Sequence, residues 1–468
     1  MKALYTLLIL LIPFVGYGQI NDTLYDFGND ESEMAYSIAK TNDNGFIICG
    51  SIKLCNTCST DPLLLKINSL GDTIWSKVYD EELSGKNSCL NVTQTNDGGF
   101  FMVNNNSIIK TDAEGNIEWR KIAQDFWTYE NGLLNFSLNY YYIINTSTIG
   151  CDQQTFVYGF QTDDDGYIVL NHGYLIKLNN FGETEWISDY FISEDISGNN
   201  WLKVNSLISS SNGNYIIYGD NFGNKLDASY NRYYDSTWFL KILSNDGTSI
   251  SLNYEWNDLY TVGVSNADEL LVQSSNDEIV LLGTTWDGHN AFWPDQDILL
   301  AKFDNLGNLI WEYEYDINNG NTDDVGYALK ISEDDSYIIL ASSGSVDNQL
   351  ILMKVNSDGE LLWTNEIAGA VDTWITDFAY SLIVSNNEII IAGGRYSNNS
   401  DNGYYDIWVI KTDLEGNITS NIEIPINKLN KNIVNVLNFR GQKIKPQKNE
   451  PIIEIFDDGS IEKKVIIE

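Results

Sequence analysis

Histidine is nearly absent from this chain: His172 and His289 are the two in 468 residues, alongside six prolines and 27 basic residues. That scarcity removes most zinc and copper chemistry, which draws on clustered imidazoles. His172 falls at a tight turn and His289 in a long loop, so each reads as a surface loop residue. No Gly-x-Ser-x-Gly elbow is present to support a Ser-His-Asp centre. Long Ala/Leu/Glu/Lys runs are missing as well, which argues against a helical protein. After the first 15 residues no stretch approaches the roughly 18 apolar residues of a transmembrane helix.

Basic residues are outnumbered by 66 acidic ones, for a net charge of −39. From Lys428 to Glu468 there are 8 basic and 6 acidic residues, leaving 19 against 60 in the rest, net −41. A body this acidic repels nucleic acid and anionic lipid surfaces, so neither is expected as a partner. The change of sign marks the tail as a separate unit.

The N-terminus has the form of a signal peptide: Lys2, an apolar run from Leu4 to Val15, then Gly16-Tyr17-Gly18 with small residues at the −3 and −1 positions. Cleavage after Gly18 leaves Gln19 first, and no Cys follows to carry a lipid anchor. The expectation is an exported chain without a transmembrane anchor. Five cysteines (Cys49, Cys55, Cys58, Cys89, Cys151) fit an oxidising compartment. Cys55 and Cys58 suggest a small loop-closing disulfide, since neither a second Cys-x-x-Cys nor a βαβ context accompanies them.

What the chain has in abundance is turns and aromatics, with 36 Gly and 13% Phe, Trp and Tyr. They are organised by a repeat. Lys66…Gly71…Trp75 recurs as Lys110…Gly115…Trp119, Lys177…Gly182…Trp186, Lys302…Gly307…Trp311 and Lys354…Gly359…Trp363, always with 5 residues from Lys to Gly and 9 from Lys to Trp. Lys241…Gly247…Trp256 reads as a stretched copy and Lys411…Gly416 as a copy without Trp, which makes seven. Upstream of each lies a second hairpin around an Asn- or Asp-rich Gly turn, as in Thr41-Asn-Asp-Asn-Gly45 and Thr95-Asn-Asp-Gly-Gly99. Each unit is therefore four strands a–d, and lysine-to-lysine spacings run from 44 to 67 residues. Such a unit cannot cover its own apolar faces, whereas a ring of them can. The fold expected is all-β: a seven-bladed β-propeller of four-stranded blades over residues 19–424, after a signal peptide (1–18) and before a β-rich tail (425–468). An eighth blade is left open by the aromatic insertion 123–153.

Ring closure is also expected from the sequence. Asn21-Asp-Thr-Leu-Tyr25 resembles Gly71-Asp-Thr-Ile-Trp75, so the first strand should complete the last blade, with Tyr25 in the slot that Ser420 leaves without an aromatic ring. The repeated lysines should lay their stems along apolar neighbours and pair with nearby Asp. Six Trp in the repeat slot read as core. The Asp163-Asp-Asp-Gly166 run reads as turn chemistry, because no complete EF-hand-type calcium loop is present.

The Asp-x-x-Gly-x-x-x-Trp rhythm of Asp112…Gly115…Trp119 and Asp304…Gly307…Trp311 resembles the Trp-containing repeats of quinoprotein- and Kelch-type propellers, a likeness of architecture that carries no activity. The C-terminus resembles the type A sorting tail of the Bacteroidetes type IX secretion system. Gly441 matches the first motif, with Gln442 in place of its Arg. Pro451, Asp457, Asp458, Gly459, Glu462 and Lys463 match the closing hairpin. The resemblance implies recognition by the type IX machinery and delivery to the medium or the outer-membrane surface.

No catalytic cluster is legible, and no cofactor or metal is expected. In the expected ring the a–b and c–d turns are short and share one end, whereas the b–c and d–a loops vary and share the other, which assigns recognition to that second end. Its long loops offer Tyr230, Tyr233 and Tyr234; Trp286, His289 and Trp293; and Tyr396, Tyr404 and Tyr405. Aromatic rings beside amides and carboxylates suit a glycan or an extracellular protein. The rival expectation is an extracellular hydrolase or lyase acting on polysaccharide through a carboxylate site that the sequence does not locate.

Overall fold

A computed structural model describes residues 22–25, 32–53, 60–79, 87–122, 156–171, 174–189, 200–226, 232–248, 254–256, 269–287, 295–317, 323–344, 349–368, 378–385, 387–397, 404–418, 433–438, 451–456 and 461–465. Among these there are strands and turns and no helix. Residues 123–155 and Cys55, Cys58 and Cys151 lie outside the described residues.

Seven antiparallel four-stranded sheets form the blades, and six of them run a-b-c-d in chain order. Blade 1 comprises a (Ser32–Lys40), b (Phe46–Lys53), c (Asp61–Ile67) and d (Thr73–Val78). The other a strands are Cys89–Gln94, Phe156–Gln161, Asn200–Ser209, Leu271–Gln273, Asp324–Ile331 and Phe378–Ser385. Each a strand touches those of the blades before and after it, and the last touches the first, so the a strands line the centre of a closed ring. Strands b and c are buried nearly throughout, while d strands face outward. The apolar core therefore lies between blades. Ile390, Ala392, Ile407 and Val409 of blade 7 pack with Ile38, Ile48, Leu63 and Leu65 of blade 1, each Ile, Leu or Val side chain contributing about 1.5–3 kcal/mol. Cys49 and Cys89 are buried together between blades 1 and 2.

The repeat motif acts within and between blades. In all five full copies the Trp stands opposite the Lys across strands c and d. The lysines are buried, and their ammonium groups return to the a–b turn: Lys66 meets Asp43, Lys110 meets Asp97, Lys177 meets Asp164 and Lys354 meets Asp334, all within 2.9 Å. Lys302 and Lys411 meet Glu278 and Glu388 in the same way. Asp164 also accepts from the Thr162 hydroxyl and the Gly166 amide, so the acidic run is turn chemistry as expected.

The Trp residues of the five full copies pack against the apolar clusters as expected, but they are not enclosed by them. They are half-buried, and each lies over the c–d turn of the next blade: Trp75 on Gly115, Trp119 on Gly182, Trp186 on Gly247 and Trp363 on Gly416. These glycines have positive φ (76° at Gly115, 81° at Gly247) and no room for a side chain under the indole. Trp256 is not a member of the set: it pairs with Trp238, three residues before Lys241, so the stretched copy does not fill the slot. Because Trp119 of blade 2 rests on Gly182 of blade 3, no blade fits between them, and the count is seven.

The first strand (Asp22–Tyr25) pairs with strand c of blade 7 (Tyr404–Asp413) and closes the ring, with Leu24 opposite Trp408. The register corrects one detail. Tyr25 stands opposite Ile407, in the place that Tyr315 takes opposite Ile298, rather than opposite Lys411 in the Trp slot. Its hydroxyl donates to the Gly71 carbonyl of blade 1 at 2.7 Å, as Tyr79 does to Gly115 and Tyr315 to Gly359 at 2.8 Å. Burying that phenol with its partner sets the register, which local similarity to the Trp motif does not reveal.

A second compact unit begins at Glu423. It contains one three-stranded antiparallel sheet, Ile433–Asn438, Pro451–Phe456 and Ile461–Val465. Within it Glu462 is opposite Glu454 and Lys463 opposite Ile453. Gly441, Asp457, Asp458 and Gly459 lie outside the described residues.

Candidate functional site

Strand a does not run straight. In blades 1, 6 and 7 its register shifts by one residue between Ala35 and Ser37, Gly326 and Ala328, and Ala379 and Ser381. The extra residue at each bulge is a tyrosine: Tyr36, Tyr327 and Tyr380. A bulge leaves one residue out of the ladder and re-aims its side chain. Strand b admits the close approach with glycine, since a Cβ at Gly50 or Gly393 would strike the carbonyl of Met34 or Phe378 at 1.8 Å.

These tyrosines meet. Tyr380 lies between Tyr36 (ring centroids 5.6 Å apart) and Tyr327 (6.0 Å, edge to face). Phe378 stacks on Tyr380 at 6.1 Å, Tyr405 lies 5.6 Å from Phe378, and Tyr396 meets Tyr405 edge-on at 5.5 Å. Six half-buried rings thus run continuously from the end of the b–c hairpin of blade 7 to the wall of the channel, across three consecutive blades. Beside them Arg395 lies over the Trp408 ring at 3.9 Å.

Burial raises the pKa of Tyr380, and neighbouring Tyr36, Tyr327 and Tyr405 push the same way. Burial raises that of Tyr327 too, partly offset by a hydrogen bond with Ser342 at 3.0 Å. Both phenols are neutral at physiological pH. They offer hydroxyls and ring faces, not charge.

Of the residues named from sequence, Tyr396 and Tyr405 come together, directly opposite one another across the hairpin. Tyr404 is on the same strand opposite Ser397. Tyr233 and Tyr234 sit in a long b–c hairpin of blade 4 opposite Lys225 and Asn224, and Trp286 stands opposite Gln296 in blade 5. Tyr230, His289 and Trp293 lie outside the described residues. Sequence reasoning missed Tyr36, Tyr327, Phe378 and Tyr380. A signal was present in Ala35-Tyr-Ser-Ile, Gly326-Tyr-Ala-Leu and Ala379-Tyr-Ser-Leu, one small–Tyr–small–aliphatic run in three units.

One further group was not legible. Asp297, Asp316 and Asp324 bring carboxylate oxygens within 4.8 Å of one another between blades 5 and 6. Asp324, fully buried, accepts the Ile317 amide at 2.7 Å. Carboxylate oxygens are the donors that hard cations take. Among the described residues these three are placed to share one.

No protein-family model and no curated protein matches the chain. Solved structures do. A polysaccharide lyase, PL25 ulvan lyase, aligns at TM-score 0.52 with 10% identity, covering 86% of this chain and 97% of the lyase. The lyase bound to -[GlcA(1-4)Rha3S]- aligns at 0.51 with the same identity and coverage. A protein of unknown function from Dyadobacter fermentans aligns at 0.44 with 9% identity, covering 84% of this chain and 98% of that one. At 10% identity the two lyase alignments show a shared propeller fold alone.

Proposed function

We propose that this chain is an exported glycan-binding propeller, and that the rings of blades 6, 7 and 1 form its binding surface. The observation that supports the reading is the unbroken aromatic series Tyr396–Tyr405–Phe378–Tyr380–Tyr36, with Tyr327 beside it. Sugar rings lay their C–H faces on aromatic rings, and the neutral phenols and flanking serines supply hydroxyl partners. A body of net charge −41 disfavours polyanionic chains, so a neutral glycan fits better than a sulfated or uronic one. Export rests on the signal-peptide pattern and on the resemblance of the tail to type IX sorting domains, which would deliver the propeller to the medium or the cell surface.

The test is a screen of the mature chain against neutral and acidic polysaccharides, with Tyr380→Ala, Tyr405→Ala and Trp293→Ala in parallel. Binding to a neutral glycan that falls about tenfold or more with Tyr380→Ala supports the reading. Binding indifferent to both tyrosines refutes it, and dependence on Trp293 alone moves the site to blade 5. Release of new reducing ends from any polysaccharide would replace it with the enzymatic alternative, the activity class of the ulvan lyase.

A further inference from the structure

Cys49 and Cys89 occupy two places that recur around the ring. Cys49 lies on strand b of blade 1, opposite Leu64 and two residues past Ile47, which stands opposite Lys66. Leu282, Leu340 and Ala392 hold the same place in blades 5, 6 and 7, two residues past the partners of Lys302, Lys354 and Lys411. Cys89 is the last residue of strand a in blade 2 to pair before the bulge at Leu90. Gly326, Ala379 and Ala35 stand just before the bulges of blades 6, 7 and 1.

At three other junctions these two places come together. Leu340 and Ala379 share the apolar cluster between blades 6 and 7, and Ala392 and Ala35 share that between blades 7 and 1. Between blades 5 and 6 a Cβ on Gly326 would lie 2.9 Å from Cγ of Leu282. In a disulfide each sulfur lies about 3 Å from the partner's Cβ. The fold therefore brings a γ atom of one blade to bridging distance from the β position of the next. At the junction of blades 1 and 2 both occupants are cysteines, fully buried in one cluster with Ile47, Val92, Phe100 and Met102. The Val92 amide donates to the Ser37 hydroxyl at 3.4 Å, and Ser37 stands opposite Cys49, which ties the two blades together at this level. The Cys89 thiol donates to the Asn91 carbonyl at 3.5 Å, a weak bond for a bridge to replace.

We propose that Cys49 and Cys89 form a disulfide that braces blade 1 against blade 2. The oxidant is an external disulfide. One cysteine thiolate attacks it to give a mixed disulfide, and the second thiolate displaces the external thiol from that intermediate. The two cysteines lose two protons and two electrons as the S–S bond forms, and the oxidant is reduced to two thiols. Both sulfurs are enclosed in the folded ring, so the bridge is made while the blades come together. It does not depend on the ligand of the aromatic rings. The test uses the chain from Gln19 in two preparations, one exported to an oxidising bacterial periplasm and one made in the cytoplasm and kept in reductant. Remaining thiols are alkylated and tryptic peptides are mapped without reduction. Trypsin separates the cysteines, placing Cys49 in 41–53, Cys55 and Cys58 in 54–66 and Cys89 in 87–110. Peptide 41–53 joined to 87–110 is the expected product of the exported chain, released by reductant. The exported chain is expected to melt about 5 °C above the reduced one. Cys89→Ala should fold, because alanine fills the same place at Ala35 and Ala379, and should lose both the joined peptide and most of the melting difference. Cys49 and Cys89 both alkylated in the exported chain overturns the proposal, as does Cys49 joined to 54–66. A melting difference as large in Cys89→Ala as in the parent overturns the brace.

Discussion

Lys66 and Asp43 meet at 2.9 Å with opposite exposures: the lysine side chain is 6% accessible and the aspartate 56%. The pair is a buried cation held by a carboxylate at the surface, tying strand c to the a–b turn of its own blade. Asp43 also accepts from the Thr41 hydroxyl and the Gly45 amide, so one carboxylate organises the whole turn. Four blades use an Asp in this way and two use a Glu.

The pair should respond asymmetrically to mutation. Asp43→Ala strands a buried ammonium and unties the turn, and is expected to lower stability by about 1–3 kcal/mol. Lys66→Met keeps the stem packing and removes the charge, and is expected to stay within about 1 kcal/mol of the parent. Calorimetric melting of both variants measures the difference, and equal losses would contradict it.

Acid should loosen the four Asp-held turns together. For Asp43 burial alone would raise the pKa. The hydrogen bonds from Thr41, Lys66 and Gly45 and the lysine charge outweigh it and hold the group down at about 2. Asp164 is held at about 2 by the same balance with Thr162, Lys177 and Gly166. A carboxyl depressed in the folded state stabilises fully above its unfolded pKa of about 4 and loses that contribution as pH falls through the folded value. Melting temperature is therefore expected to decline from about pH 4 to pH 2, and less steeply in Asp43→Asn.

Blade-to-blade packing can be separated from backbone strain within blade 2. Gly98 and Gly115 have φ of 88° and 76°, but a Cβ at Gly98 meets nothing within 4 Å and one at Gly115 meets Trp75 at 2.9 Å. Gly98→Ala is expected to cost only the left-handed backbone, about 1–2 kcal/mol. Gly115→Ala should cost roughly a further 1–3 kcal/mol by lifting Trp75. Equal melting shifts would mean that the indole lid contributes little.

Ring closure depends on Tyr25. Tyr25→Phe leaves the buried Gly71 carbonyl unmet and should cost about 1–3 kcal/mol. Deleting residues 19–25 exposes the edge of strand c in blade 7, with Trp408 and Ile410 beside it. That variant is expected to melt earlier and to self-associate, which light scattering would register.

The fold was legible because lysine, glycine and tryptophan recur at fixed spacing, and each is required by the geometry of every blade. The site was legible only at its rim. Tyr396 and Tyr405 stand in a long loop region where aromatics draw notice, whereas Tyr36, Tyr327 and Tyr380 sit within strands that alternation alone assigns to packing. Their common orientation comes from a bulge, which the sequence marks only by the small–Tyr–small–aliphatic run shared by three units. Asp297, Asp316 and Asp324 were hidden for a different reason: they belong to two blades, and only the ring brings them together.

The pairing of Asp22 with Ile410 has a bearing on how the protein comes into being. Strand Asp22–Tyr25 is separated by nearly the whole ring in sequence from its partner, which ends at residue 413. A chain emerging from its N-terminus grows as an open arc of blades, and a chain cut short anywhere before the final hairpin stays open. Contacts so distant in sequence form late and cooperatively. Closure therefore requires the last blade: without Tyr404–Asp413 the strand Asp22–Tyr25 has no edge to pair with.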